Sequence, residues 1–293
     1  MKILLVNKYL YRKGGAETYF IKLGEYLKSL GNEVEYFGMA DERNCVGNRV
    51  EAYTENIDFH KKSLKYITYP FKIIYSINAR KQIRKVLSDF KPDVVHLNNF
   101  NYQLTPSIIY EIKKHNIPIV YTAHDVQLVC PNHKLKNDYT DGLCRKCDGG
   151  KYFECVKNNC VHSSKIRSIL GAVEAWYYKL RHTYKMIDLT VCPSEFMEKE
   201  ISRNDDINGR TVTMYNFIDE IKPLGAECEN YVLYFGRYSE EKGISNLVKA
   251  AKKLSNIPFV FAGKGELENE VNSADNIKNV GFKTGDELRN IIE

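Results

Sequence analysis

Arg237 and Lys242 stand in the run Gly236-Arg237-Tyr238-Ser239-Glu240-Glu241-Lys242-Gly243, which follows an apolar β-type segment and opens a helical one. A guanidinium fork and a compact ammonium on one loop suit a diphosphate. The carboxyl end of a strand is where open α/β sheets place their ligands. The competing account is a solvated loop in which Glu240 and Glu241 pair with the two cations, and spacing alone does not separate the two. Gly14-Gly15-Ala16-Glu17 opens the first helical segment. Paired glycines let a ligand approach the backbone, and free amides at a helix start attract phosphate. The run lacks Gly-x-Gly-x-x-Gly, so NAD is not indicated, and taken alone it reads first as a flexible turn. Tyr121-Thr122-Ala123-His124-Asp125 brings a His-Asp pair to the end of another apolar strand. A lone histidine is commonly structural, and Asp125 also suits a cap.

The elements that must position these residues alternate between short β-rich runs and longer helical patterns, which predicts an α/β fold with parallel sheets. Ile3–Val6 is wholly apolar, as a parallel strand covered on both faces should be. A helix follows from Ala16 to Leu30, with Tyr19, Phe20, Leu23, Leu27 and Leu30 at helical spacing and Gly31 ending it. Strands are expected at Val34–Phe37, Asp93–Leu97, Ile117–Thr122, Asp188–Cys192 and Thr211–Met214. A second unit begins near Glu229, after a Pro223- and Gly225-bearing linker. It reads as strand Tyr231–Phe235, helix Gly243–Leu254, strand Phe259–Ala262, helix Leu267–Ser273, an extended Asn279–Phe282 and a helix opening at Gly285.

The chain's 293 residues predict about two domains. With 43% hydrophobic and 27% charged residues it is neither disordered nor fibrous. A formal charge of +6 is too mild to mark a nucleic-acid binder. No apolar run approaches the roughly 18 residues of a membrane span, and the N-terminus does not read as a signal peptide. A cytoplasmic chain is expected.

Taken in order, the motifs resemble those of the retaining, nucleotide-sugar-dependent glycosyltransferases of family 4, which have the GT-B fold. The resemblance is carried by Gly14-Gly15-Ala16-Glu17, Pro92-Asp93-Val94-Val95-His96, Thr122-Ala123-His124-Asp125 and Cys192-Pro193-Ser194. It continues through Tyr215-Asn216-Phe217-Ile218-Asp219, Gly236-Arg237 to Glu241-Lys242-Gly243, Phe261-Ala262-Gly263-Lys264-Gly265 and Val280-Gly281-Phe282. It implies two Rossmann-like domains, an acceptor domain over 1–222 and a partial donor domain over 223–293. It implies that Arg237 and Lys242 neutralise the departing diphosphate of a UDP- or GDP-sugar. Gly14, Gly15 and Gly263 would line the donor site, and His124 would hydrogen-bond the transferred sugar. Catalysis would need no metal, and the acceptor would be a glycan or lipid-linked glycan in surface polysaccharide synthesis. The family's Glu-x7-Glu element would lie beyond Val280-Gly281-Phe282. Residues 283–293 do not contain it, so the chain is expected to stop inside its second domain. The rival functions are a non-catalytic glycan- or partner-binding module and a GT-B sugar-nucleotide epimerase.

Five of the eight cysteines fall between Cys130 and Cys160. In a reducing compartment the spacing Cys144-x2-Cys147-x7-Cys155-x4-Cys160 suits a structural tetrathiolate zinc within an insertion of about 128–165. An iron–sulfur cluster or unligated and oxidised thiols are the alternatives, and Cys130, His133 and His162 are reserve ligands. From Phe59 to Ser88 there are eight Lys or Arg and no carboxylate, with Tyr66, Tyr69, Phe71 and Tyr75 among them. Pro70 is expected to divide this stretch into two helices. A peripheral contact with an anionic membrane at the inner face is one expectation. A core-packing helix with a solvated cationic side is the other.

Overall fold

A computed structural model of the chain describes residues 1–56, 69–137, 142–218 and 229–292. It divides into two units, Met1–Phe217 and Ile218–Glu293. The first runs β1 (Lys2–Val6), α1 (Gly15–Ser29), β2 (Glu33–Phe37), α2 (Tyr69–Ile74), α3 (Ile77–Phe90), β3 (Val94–Leu97), α4 (Ser107–Lys114) and β4 (Ile119–Thr122). It continues with α5 (Phe153–Lys157), α6 (Lys165–Leu180), β5 (Leu189–Cys192), α7 (Glu195–Ile201) and β6 (Thr211–Thr213).

The six strands pair in parallel in the order β2-β1-β3-β4-β5-β6. The apolar run of β1 is explained by cover on both faces. Leu4 and Val6 pack with Ile83, Val86 and Phe90 of α3, while Ile3 and Leu5 pack with Phe20 and Ile21 of α1. Because β2 and β3 flank β1 on opposite sides, the strand order reverses there. Residues leaving the carboxyl ends of β1 and β3 therefore share a crevice.

The basic stretch is corrected in one detail. Residues 59–68 lie outside the described residues, but Pro70 sits in the first turn of α2, where proline is tolerated. The break falls later, at Ser76, whose hydroxyl accepts from the Ala79 amide and caps α3. Buried Ala79, Ile83, Val86, Leu87 and Phe90 make α3 a core-packing helix. Two of its cations are committed to a partner: Arg80 Nη2 lies 2.8 Å and Arg84 Nε 2.6 Å from the carboxylate of Glu111 on α4.

The second unit is short, with β7 (Val232–Phe235), α8 (Ile244–Lys253), β8 (Phe259–Ala262), α9 (Glu268–Val271), β9 (Ile277–Asn279) and α10 (Gly285–Ile292). Its three described strands pair in parallel as β7-β8-β9. The core joins Ile244, Val248 and Ala251 of α8 to Phe259 and Phe261 of β8 and the fully buried ring of Tyr238. The third strand lies earlier than Asn279–Phe282, because Gly281 turns the chain at φ +73°. Most of the expected linker, 219–228, lies outside the described residues. Among the described residues no helix is long and apolar enough to cross a membrane.

Candidate functional site

In the first unit the carboxyl edge of the sheet carries a cluster of polar side chains. Asn7 follows β1, and its Oδ1 accepts from the Asn99 amide at 2.9 Å, tying the β1 and β3 exits together. His124 follows β4, and its Nε2 lies 2.9 Å from Asn98 Oδ1. Its ring meets Tyr19 of α1 edge-on, with centroids 5.3 Å apart. Burial pushes the imidazole down to about 4, against the raising effect of Asp125. His124 is therefore neutral at physiological pH and offers hydrogen bonds rather than charge. His96 on β3, 2.7 Å from Thr122 Oγ1, is likewise pushed to about 4 by burial and then by His124.

A second network lies beside the first. Lys8 Nζ donates to Asn101 Oδ1 at 2.8 Å. Asn101 Nδ2 lies 3.1 Å from His133 Nδ1, which is 3.2 Å from Asp125 Oδ2. The Gln127 amide donates to the other Asp125 oxygen at 2.9 Å. Burial opposes ionisation of Asp125, but His133, the Gln127 amide and Lys8 together outweigh it and hold the carboxyl below its ordinary value. Burial lowers Lys8 despite Asp125 and Glu17 nearby, and pushes the half-buried Glu174 of α6 up to about 7. Tyr102 and His133 stack with centroids 5.4 Å apart and planes 6° from parallel. Both take left-handed backbone angles, φ +62° and +61°, which side chains with a Cβ adopt at a cost and which concentrate at functional sites.

Of these residues the sequence singled out His124 for the site and placed His133 only among reserve metal ligands. Lys8, Asn98 and Asn101 were missed, although each follows an apolar strand that ends at the reversal of strand order. Gly14 caps α1 in an ordinary extended conformation, φ −164°. A Cβ on Gly15 would meet nothing within 4 Å. Neither glycine is demanded by crowding or backbone angle at that turn.

In the second unit Gly236 leaves β7 and Arg237 and Lys242 follow on the loop to α8. Arg237 Nη2 pairs with Glu241 Oε1 at 2.9 Å, and both side chains are largely exposed. Glu240 instead accepts from Ser245 Oγ at 2.9 Å. Lys242 is exposed and has no carboxylate partner among the described residues. The solvated-loop account thus holds for Arg237 and not for Lys242. The loop is held from beneath. The Gly236 amide donates to Ala262 O at 3.0 Å and the Tyr238 amide to Lys264 O at 2.9 Å, while Tyr238 Oη donates to Asn279 Oδ1 at 3.0 Å. A Cβ on Gly263 would lie 1.9 Å from Gly236 O, and one on Gly265 2.2 Å from Tyr238 O. Only glycine lets the β8–α9 loop press this closely on the cation-bearing loop. The expected halves of the site thus lie in separate units.

Cys130, Cys144, Cys147, Cys155 and Cys160 line one cavity of about 10 Å³, and all five are free thiols. The Cys130 thiol donates to Asn132 Oδ1 at 2.9 Å. Among the described residues no three His, Cys, Asp or Glu side chains are grouped tightly enough to hold a metal ion. His133 is turned to Asp125 and His162 does not line the cavity. The insertion is anchored to the end of α7 by Arg145, whose Nε lies 3.1 Å from the fully buried carboxylate of Glu200. Cys45 is exposed, Cys192 is buried and Cys228 lies outside the described residues.

The chain thus has two parallel α/β units, each with polar and cationic groups gathered where strands end. Solved structures share this fold. Sucrose-phosphate synthase from Thermosynechococcus elongatus superposes with a TM-score of 0.61 at 16% identity, over 98% of this chain and 72% of that one. Anabaena HepE in complex with UDP and glucose gives 0.56 at 16%, over 97% and 70%. The model for Glycosyltransferase Family 4 matches residues 13–221, and that for Glycosyl transferases group 1 matches 217–293. The chain belongs to glycosyltransferase family 4. A Klebsiella pneumoniae protein, described as an uncharacterized 42.6 kDa protein in the cps region, is 26% identical over 280 residues, or 90% of this chain and 68% of that protein.

Proposed function

We propose that the protein moves a sugar from a UDP- or GDP-sugar to a hydroxyl of a glycan or lipid-linked glycan, with retention of configuration, during assembly of a surface polysaccharide. The observation that carries this reading is Lys242, an exposed ammonium without a carboxylate partner beside Arg237 at the carboxyl end of β7. Negative charge grows on the diphosphate as the glycosidic bond breaks, and fixed cations stabilise it without reorganising. Neutral His124, held by Asn98, would accept or donate a hydrogen bond at the transferred sugar, and the open backbone at Gly14 and Gly15 would let the donor come close. HepE was crystallised with UDP and glucose, and the Klebsiella relative is named for a cps region; both agree with a nucleotide-sugar donor and a polysaccharide product. The test is a panel of labelled UDP- and GDP-sugars with glycan acceptors, read as nucleoside diphosphate release and as the anomeric configuration of the product. Acceptor-dependent release with retained configuration is expected. Glycan binding without release with any donor would overturn the proposal, as would interconversion of donor sugars without an acceptor.

The cysteine loop is proposed to take a structural zinc, with Cys144, Cys147, Cys155 and Cys160 as ligands and Cys130 the fifth thiol at the same cavity. A cation would draw the sulfurs to about 2.3 Å and offset the ordering entropy of a long polar insertion. Protein purified without chelator is expected to carry about one equivalent of zinc, and Cys147→Ser to lose it; less than about half an equivalent in the parent protein rejects the site.

A further inference from the structure

His133 belongs to the cysteine-rich insertion, yet its side chain reaches the carboxyl edge of the first sheet. It stands on a turn in which it and Leu135 are both left-handed, φ +61° and +50°. The turn is built by its own hydrogen bonds. The His133 amide donates to Cys130 O at 2.9 Å, and Asn132 Oδ1 accepts from both the Lys134 amide and the Cys130 thiol, each at 2.9 Å. The Cys144 amide donates to Leu135 O at 2.7 Å and ties the turn to the rest of the insertion. From this turn His133 meets Asp125. A carboxylate can only accept, which assigns the Nδ1 proton of His133 to Asp125 Oδ2, 3.2 Å away. The Gln127 amide donates to Oδ1 at 2.9 Å, and Asn101 Nδ2 lies 3.5 Å from Oδ2. A carboxylate has about four acceptor directions, so these donors leave one, and the Asp125 side chain is 27% exposed. Beside it is the Lys8 ammonium, close enough for the two charges to interact.

We infer that the cysteine-rich insertion supplies a positioning residue for the acceptor: His133 aims the Asp125 carboxylate at a hydroxyl of an uncharged acceptor sugar, and the Cys130 thiol holds the turn that presents His133. This rests on the transfer reading proposed above. A sugar hydroxyl both donates and accepts. Asp125 would accept from one hydroxyl of the acceptor while Lys8 donates to its neighbour, and an ionised Asp125 disfavours an acidic sugar at this place. The backbone points the same way. Tyr102 and His133 both take left-handed angles, and their rings stack 5.4 Å apart beside the carboxylate. Such strain persists where the surroundings demand it and concentrates at functional sites. The arrangement also separates Cys130 from the four proposed zinc ligands. Its thiol keeps a proton and spends it on Asn132, which accounts for a fifth cysteine at the cavity.

The chain has seven histidines, few enough for their ring signals to be separated by NMR, and the His133 signal is the one lost in His133→Gly. Asp125→Asn and Cys130→Ala should each move that signal, whereas Cys130→Ser, which keeps a donor, should leave it in place. With neutral glycan acceptors, His133→Gly should raise the acceptor KM about tenfold or more, as loss of a hydrogen bond to a charged group does. Calorimetric affinities for UDP and GDP should not change. Glycine adopts the left-handed angle without strain, so this loss reads the imidazole and not the backbone. His133→Asn tolerates the same angle and restores an N–H donor, and should recover most of the acceptor affinity. A His133 signal unmoved by both Asp125→Asn and Cys130→Ala overturns the inference. So does an acceptor KM unmoved by His133→Gly in a parent protein that transfers sugar, or an equal KM for the glycine and asparagine variants. A parent protein that transfers no sugar fails the transfer reading itself, which tells the two failures apart.

Discussion

Lys242→Ala is expected to lower sugar transfer by about 10²–10³-fold, the usual cost of removing one group that stabilises developing negative charge. The structure makes this the sharper of the two cation tests. Lys242 has no carboxylate partner among the described residues, so its removal leaves no other charge unpaired. Arg237→Ala should give a loss of similar size, but it also frees Glu241 from a 2.9 Å ion pair and leaves a carboxylate facing the diphosphate. Combining Arg237→Ala with Glu241→Gln separates the two effects. If part of the loss comes from the stranded carboxylate, the double variant is faster than the single one. Transfer rates are measured at saturating donor alongside calorimetric binding of UDP and GDP. Near-parental rates for both Arg237→Ala and Lys242→Ala would remove the diphosphate from this loop.

The second large effect is on stability. Glu111 is 2% exposed and held by Arg84 and Arg80. The Arg84 hydrogen bond, acting against burial and helped by Arg80, pulls its carboxyl down to about 2 from 4.5. A carboxyl depressed on folding contributes stability that is fully present above the unfolded value and is lost as pH falls through the folded one. Holding the carboxyl near 2 rather than 4.5 corresponds to about 3 kcal/mol, an upper figure because Arg84 is half exposed to water and screened. Glu111→Gln should therefore cost up to about 3 kcal/mol at neutral pH. Its deficit should shrink as the pH is lowered below 4.5 and vanish near 2. Urea unfolding of both proteins across that range reads it directly, and a deficit that does not change with pH would assign Glu111 a packing role instead.

The parts of the fold that announced themselves were those where one physical demand dominates. β1 is legible because both of its faces are covered and every position must be apolar. α1 is legible because its buried stripe repeats at helical spacing before Gly31. β9 was misplaced because Val280 and Phe282 look more strand-like than Ile277-Lys278-Asn279. The pairing that decides the matter is with β8, where Phe259 opposes Ile277 and Phe261 opposes Asn279. α2 and α3 were divided at the wrong residue because proline breaks a helix only past its first turn.

The candidate site was legible only where its residues stand together in sequence. Arg237, Lys242 and His124 stand next to strand ends within short motifs. Asn98, Asn101, Lys8 and His133 are single polar residues scattered over more than a hundred positions, and only the parallel pairing of β1, β3 and β4 gathers them. A polar residue directly after an apolar strand, at the point where strand order reverses, is the one sequence signal that could have found Lys8 and Asn98.

The strand order also governs how the first unit can be made. β1 leaves the ribosome before β2 and β3, yet it is an interior strand. Leu4 aligns with Glu35 on one side and with Val95 on the other. Until Val95 has been synthesised, the nascent chain carries an apolar strand with one open hydrogen-bonding edge, the template on which unwanted pairing between chains begins. Closing that edge requires contacts between distant parts of the sequence, which form slowly. Expression at reduced temperature, or with a chaperone that shields the early chain, should raise the soluble yield more than any change to the second unit.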